Sequence, residues 1–179
     1  MPTFCNRPTS GTRSVFRRLL ALGLMVPLSV LGGFFGDPEA NWVEGPHVLP
    51  EPPGAADLRA FDAGLSGNRF MVDERSISVG DDGVVRYTLV VEASGGARNV
   101  TFEGVRCVSG SYRIYAIGGH DGRWREARNS EWAPIAGSTH NRPRAALAFD
   151  HFCDDRVPPR NRDDALRRLR AAPSLPISF

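Results

Sequence analysis

Val85-Arg86-Tyr87-Thr88-Leu89-Val90-Val91 decides the fold of this chain. Val85, Tyr87, Leu89 and Val91 fall on one side of an extended backbone, with Arg86, Thr88 and Glu92 on the other. That two-residue period marks an antiparallel strand with one face buried. Upstream, the turn signal Asp81-Asp82-Gly83 separates it from a strand around Ile77 and Val79, and an earlier strand begins at Phe70 and Val72. Downstream, Ser94-Gly95-Gly96 leads into residues 99–108, where Val100 and Phe102 share a face and Val105 and Cys107 have the opposite parity. Gly104 sits at the switch, so a β-bulge is predicted there. Tyr112, Ile114 and Ala116 then alternate with Arg113, Tyr115 and Ile117, before a turn at 118–122 and the segment Arg123, Trp124, Arg125. Strands joined by short turns predict a meander of about five to seven members.

Outside the meander the pattern changes. Asn141 and Pro143 are start signals for a helix that would place Ala146, Phe149 and Cys153 on one face, and residues 162–172 have helical composition ahead of Pro173 and Pro176. Leu58, Phe61 and Leu65 predict a short helix over 57–64. Residues 37–56 carry Pro38, Pro46, Pro50, Pro52, Pro53 and Gly54 and read as an extended, poorly packed spacer. The expected class is α+β: a small antiparallel, sandwich-like sheet with one disulfide-stapled helix and a short C-terminal helix. The expected divisions are a signal segment at 1–36, spacer and short helix at 37–64, a β-rich domain at 65–155 and a basic tail at 156–179.

Arg7, Arg13, Arg17 and Arg18 precede an apolar run from 19 to 31, and no acidic residue occurs before Asp37. A basic start followed by about 13 apolar residues is an export signal, and the run is short for a membrane span. Cleavage after Gly32 or Ala40, or retention as an anchor, are both compatible with it. Cys5 precedes the apolar run, where a lipidated cysteine would follow it. The chain carries 22 basic and 20 acidic residues, but beyond residue 36 the balance is 18 against 20, net −2. The apparent basicity belongs to the signal, so nucleic acid is not an expected partner. Residues 156–179 hold six arginines against Asp163 and Asp164, and the chain has neither lysine nor glutamine. Expected membrane contact is limited to an uncleaved signal or this basic tail, and the oligomeric state is left open.

Cys107 and Cys153 remain after the signal, and an exported pair meets an oxidising compartment, so a disulfide is predicted. The alternative is a metal site drawn from Asp150, His151, Cys153, Asp154 and Asp155, whose spacing lacks the paired-ligand pattern of one chelating element. No metal and no cofactor are expected.

The blocks Phe70-Met-Val-Asp-Glu-Arg-Ser-Ile-Ser-Val-Gly-Asp-Asp-Gly-Val-Val-Arg-Tyr-Thr, Asn99-Val-Thr-Phe-Glu-Gly-Val-Arg-Cys, Tyr112-Arg-Ile-Tyr-Ala, Asp121-Gly-Arg-Trp and Phe152-Cys153 occur in this order. Over residues 65–155 the chain resembles the CNP-like family of proteobacterial envelope proteins (CNP-one-like domain). The resemblance implies a periplasmic or outer-membrane-associated domain and brings no catalytic residue with it.

His47, His120, His140 and His151 are scattered, with no pair at ligand spacing, and no nucleophile elbow, phosphate loop or zinc-protease helix occurs. No catalytic residue is singled out. Arg86, Arg113, Tyr115, Arg123 and Arg125 form the candidate anion-binding face, because guanidinium forks suit phosphate and carboxylate. The bland reading is a solvated face with ion pairs to Glu92, Glu103 and Glu126. The expected function is a non-enzymatic envelope interaction module for a protein or an anionic component. The rival is an envelope hydrolase with a dispersed site.

Overall fold

In the computed structural model, which describes residues 40–64, 67–136 and 139–171, the meander forms one antiparallel sheet. Its spatial order is β1 (Leu58–Phe61), β2 (Arg69–Val79), β3 (Val84–Glu92), β4 (Arg98–Arg106), β5 (Ser111–Gly118) and β6 (Trp124–Glu126), with β7 (Ala133–Pro134) also pairing with β5. The chain parts into units of residues 1–37 and 38–179. The first unit, with the predicted signal, and the end of the tail at 172–179 lie outside the described residues.

Local chemistry accounts for the elements and corrects several expectations. Residues 57–64 do not form a helix: a 3-10 turn at Ala55–Asp57 feeds β1, which pairs with β2 from Leu58↔Asp73 to Phe61↔Phe70. The backbone groups of so short a segment are better satisfied along a strand edge than by one helical turn. The two strands expected over 70–79 are one strand with an irregularity between Asp73 and Ser78. There the Ser76 hydroxyl donates to the Asp73 carbonyl and accepts from the Thr88 N–H, both at 2.8 Å, so a side chain stands in for the interrupted ladder. The bulge expected at Gly104 lies across the ladder instead. β4 pairs with β3 in unbroken register from Val84↔Arg106 to Glu92↔Arg98, and the shift occurs opposite it, between Phe102↔Ala116 and Glu103↔Ile114. Tyr115 is therefore the extra residue. The parity change read from the sequence arises because both faces of β4 are buried, Phe102 to one side and Val105 to the other.

Two layers sandwich the sheet. On one side lie α1 (Arg142–Ala145), its π-helical continuation Ala146–Phe152, and α2 (Arg162–Ala171). Leu147, Ala148, Phe152, Ala165, Leu166 and Leu169 pack on Val72, Ile77, Val85, Tyr87, Leu89 and Val105. The face expected from a 3.6-residue period, Ala146 with Phe149 and Cys153, does not form, and Phe149 is exposed. The π-turn widens the repeat, as the Cys153 N–H to Ala148 carbonyl bond of 2.7 Å shows, and brings Leu147 and Phe152 to the core together. The predicted disulfide Cys107–Cys153 is present, with Cα atoms 5.5 Å apart. It joins the end of β4 to the end of the π-helix across 46 residues, worth about 3–4 kcal/mol in the chain-entropy model.

The basic tail is part of this core and not a loose appendage. Asn161 caps α2 by accepting from the Asp164 N–H at 2.9 Å. Asp164 gathers Arg160, Arg167 and Arg168, while Glu74 of β2 holds Arg170 and Arg59. On the same side the buried carboxylate of Glu103 receives a two-pronged pair from Arg144, at 2.9 and 2.6 Å.

The second face was expected to be solvated. Its β3 residues, Val84, Arg86, Thr88 and Val90, are all 3% exposed or less. The cover is the proline-rich segment 40–53, expected to be a spacer, which packs on the sheet without secondary structure of its own. We call it the strap. One sheet with helices on one face and a strap on the other stands where the sequence suggested a sandwich.

Candidate functional site

The strap is fastened by side chains. Glu44 accepts from Arg113 Nη1 at 2.5 Å, Tyr115 Oη at 2.6 Å and Trp132 Nε1 at 2.9 Å, with Arg86 Nη2 at 3.5 Å. Arg86 in turn donates to Asp82, at 2.6 Å to Oδ2, and to the Gly45 carbonyl at 3.2 Å. Asp82 accepts the Gly45 N–H at 2.8 Å, and its own carbonyl accepts Trp42 Nε1 at 2.9 Å. Trp42 lies under Arg106, whose guanidinium carbon is 3.8 Å from the ring centroid. His47 lies 4.1 Å, ring to ring, from Tyr115. Farther along, the Pro50 carbonyl accepts Trp124 Nε1 at 2.7 Å. All three tryptophans of the protein thus place their indole N–H across the junction of strap and sheet.

The sheet builds the donors into position. Tyr115 sits at the bulge of β5 and crosses Gly104, where a Cβ would fall 2.5 Å from the phenol oxygen. No residue with a side chain fits at 104 while Tyr115 reaches Glu44. Arg113 is braced by Ser130, whose hydroxyl accepts from Nε at 3.0 Å. Burial by itself would raise the pKa of Glu44, but the hydrogen bonds from Tyr115 and Trp132 and the nearby Arg113 charge prevail and hold it below the usual carboxylate range. Burial opposes ionisation of Asp82 as well, and Arg86 with the N–H groups of Val84 and Gly45 again brings its pKa down. Burial, the Glu44 hydrogen bond and the adjoining negative charge push Tyr115 up. The assembly is a carboxylate clamped by neutral and cationic donors.

Of the candidate anion-binding residues, Arg86, Arg113 and Tyr115 are brought together here, and an internal carboxylate occupies them. Arg123 and Arg125 lie apart, exposed at the β5–β6 turn, where Arg125 pairs with Asp121 at 3.1 Å. Beside that turn a groove of about 280 Å³ opens between the strap and the sheet. Pro52, Pro53, Val100 and Trp124 give it apolar walls, and Arg98 and His120 bring cationic or protonatable groups. Arg98 faces Glu92 at 3.9 Å, a distance at which an exposed pair contributes little. Cys153 of the alternative metal cluster is held in the disulfide, and His151 packs edge-on against Phe61.

Glu44, Trp42 and Trp132 were not singled out from sequence, and Asp82 was read only as part of a turn. The signal available was compositional: Trp42 is the one tryptophan of the proline-rich stretch 40–53, with the acid Glu44 two residues after it, and spacers seldom need either.

Comparison with known proteins agrees with the boundaries drawn by the strap and α2. The family model described as CNP1-like family matches residues 37–170, a longer stretch than 65–155. "Cryptic neisserial protein 1" of Neisseria gonorrhoeae is 30% identical over 127 residues, covering 62% of this chain and 63% of that protein. The chain thus spans just under two thirds of the length of the curated relative it matches. No solved structure matches. With the matched region running from the start of the strap through nearly all of α2, the chain belongs to the CNP1-like family.

Proposed function

We propose that this protein is an exported, non-enzymatic interaction module of the bacterial envelope, acting in the periplasm or at the outer membrane, and that it binds an anionic component in the groove beside β6. The groove is the observation that carries the reading: apolar walls from Pro52, Pro53, Val100 and Trp124 stand next to Arg98 and His120, with no carboxylate among the lining residues. Such a lining suits a phosphate or carboxylate on an apolar or sugar body. Binding is favoured over hydrolysis because the carboxylates gathered at Arg86, Glu44 and Asp82, are both held below the usual range. An acid–base pair would have them pushed apart. Export rests on the N-terminal segment, and cleavage after either Gly32 or Ala40 leaves Trp42 and Glu44 in the mature chain.

The test is a titration of the purified envelope form with glycerol phosphate, octanoate and glucuronate, followed by the indole resonance of Trp124. Saturable shifts with one probe, weakened about tenfold or more by Arg98→Ala, are expected. Shifts with none of the probes, or binding unchanged in R98A, would remove the groove as the site. Intact mass of the same preparation tests export: a chain beginning near residue 33 or 41 is expected if the signal is removed.

A further inference from the structure

Three donors on the sheet side of the latch converge on two oxygens, and the strap supplies only the acceptor. Arg113, Tyr115 and Trp132 reach Glu44 at 2.5–2.9 Å. A carboxylate has about four lone-pair sites, and this set is shaped for one. Two of the donors have supports besides Glu44: Tyr115 crosses Gly104 and Arg113 is braced by Ser130. A further cation stands beside the seat: Arg86 is 3% exposed, and its Nη2 lies 3.5 Å from Glu44.

Side chains of the sheet hold the occupant's backbone, at Gly45 and Pro50, and no strand pairing does. The strap joins no strand ladder, and Val43, Val48 and Leu49 point outward at 81, 87 and 41% exposure. Glu44 itself is not sealed, with 15% of its side chain exposed and 29% of Arg113.

We propose that this recess is a carboxylate-recognition site for an extended acidic peptide, and that Glu44 is its occupant in cis. The strap displays the pattern such a peptide would carry: an aromatic ring two residues before the acid, seated against Arg106, and a flat ring three residues after it, seated against Tyr115. The partner is a protein segment of that chemistry, which displaces the strap from the second face. This goes beyond the groove and does not rest on it.

The experiment uses the full chain with Glu44→Ala, which keeps every donor and removes the acceptor. Two synthetic peptides are titrated by calorimetry and by the Trp132 indole resonance: residues 40–50 of this sequence, and the same peptide with glutamine in place of glutamate. Expected are saturable binding of the glutamate peptide to E44A, at least about tenfold tighter than the glutamine peptide, and at least about tenfold weaker binding to the wild type, whose own strap competes. Equal affinity for the two peptides, or no binding to E44A, would overturn the proposal. Acetate that fills the E44A site and leaves no advantage to the peptide would overturn the peptide assignment. If E44A does not fold, E44Q keeps the strap's shape, and the same discrimination between peptides decides.

Discussion

The two covers of the sheet hold on by different means. On the helix side, Phe152, Leu147, Ala165 and Leu169 are 3% exposed or less against Tyr87, Leu89 and Val105, and a disulfide ties the layer to β4. That cover is stabilised by apolar area, to which a buried side chain of this size contributes about 1.5–3 kcal/mol. On the strap side, a segment with no secondary structure is held by Glu44, Asp82, three indole N–H groups and one cation over an aromatic ring. Charge-assisted hydrogen bonds there contribute about 1.5–3 kcal/mol each. The first cover rests mainly on apolar area, with the ion pairs of Glu103, Asp164 and Glu74 added to it. The second depends on two carboxylates, Glu44 and Asp82, remaining charged, and so is the face a competing anion or acid can open.

Substitutions separate the two covers. The largest effect is expected from Phe152→Ala, which empties a fully buried site against Tyr87 and should cost about 4–5 kcal/mol in urea unfolding. A cost well under that would mean the helix layer is not the main apolar support. Replacing both Cys107 and Cys153 by serine should cost about 3–4 kcal/mol by the same measurement.

Glu44→Gln should cost about 2 kcal/mol, and should also change tryptophan fluorescence while far-ultraviolet circular dichroism stays native. Acid should imitate it. Glu44 and Asp82 have folded pKa values below their ordinary ones, so their stabilisation is fully present above the ordinary carboxylate pKa of about 4 and is lost as pH falls through the lower folded values. Fluorescence should therefore move before the sheet melts as the solution is acidified below about pH 4, and loss of both signals together would erase the contrast. The smallest effect belongs to the helix side's own surface tie. Arg170, then Arg59, holds Glu74 down to about 2, so Glu74→Gln should cost about 1 kcal/mol and remove a stability change between the ordinary glutamate pKa and pH of about 2.

The sequence made the helix-covered side of the sheet legible because one period carried it. Val85, Tyr87, Leu89 and Val91 announce a strand face, Cys107 and Cys153 announce their pairing, and turn residues at 81–83 and 94–96 mark the hairpins. Two local features were not readable. The phase of the α1 region was lost because a π-turn replaces the 3.6 repeat, turning Phe149 outward and Phe152 inward. The bulge was placed in β4 because two buried faces imitate a parity switch. The strap was missed for a deeper reason: a covering segment held by side-chain hydrogen bonds has no periodicity, and its prolines speak only for extension. Arg86, Arg113 and Tyr115 converge on Glu44, about 40 to 70 residues away in the chain, a separation that no local pattern reports.

The most direct test of the latch is hydrogen exchange at the three tryptophan indoles in the wild type and in E44Q. The account predicts three indole N–H groups protected well beyond solvent-exposed rates in the wild type, losing that protection together in E44Q while the β3 amides of Thr88 and Val90 remain slow. Indoles that exchange freely in the wild type, or that keep their protection in E44Q, would contradict a strap latched to the sheet through Glu44.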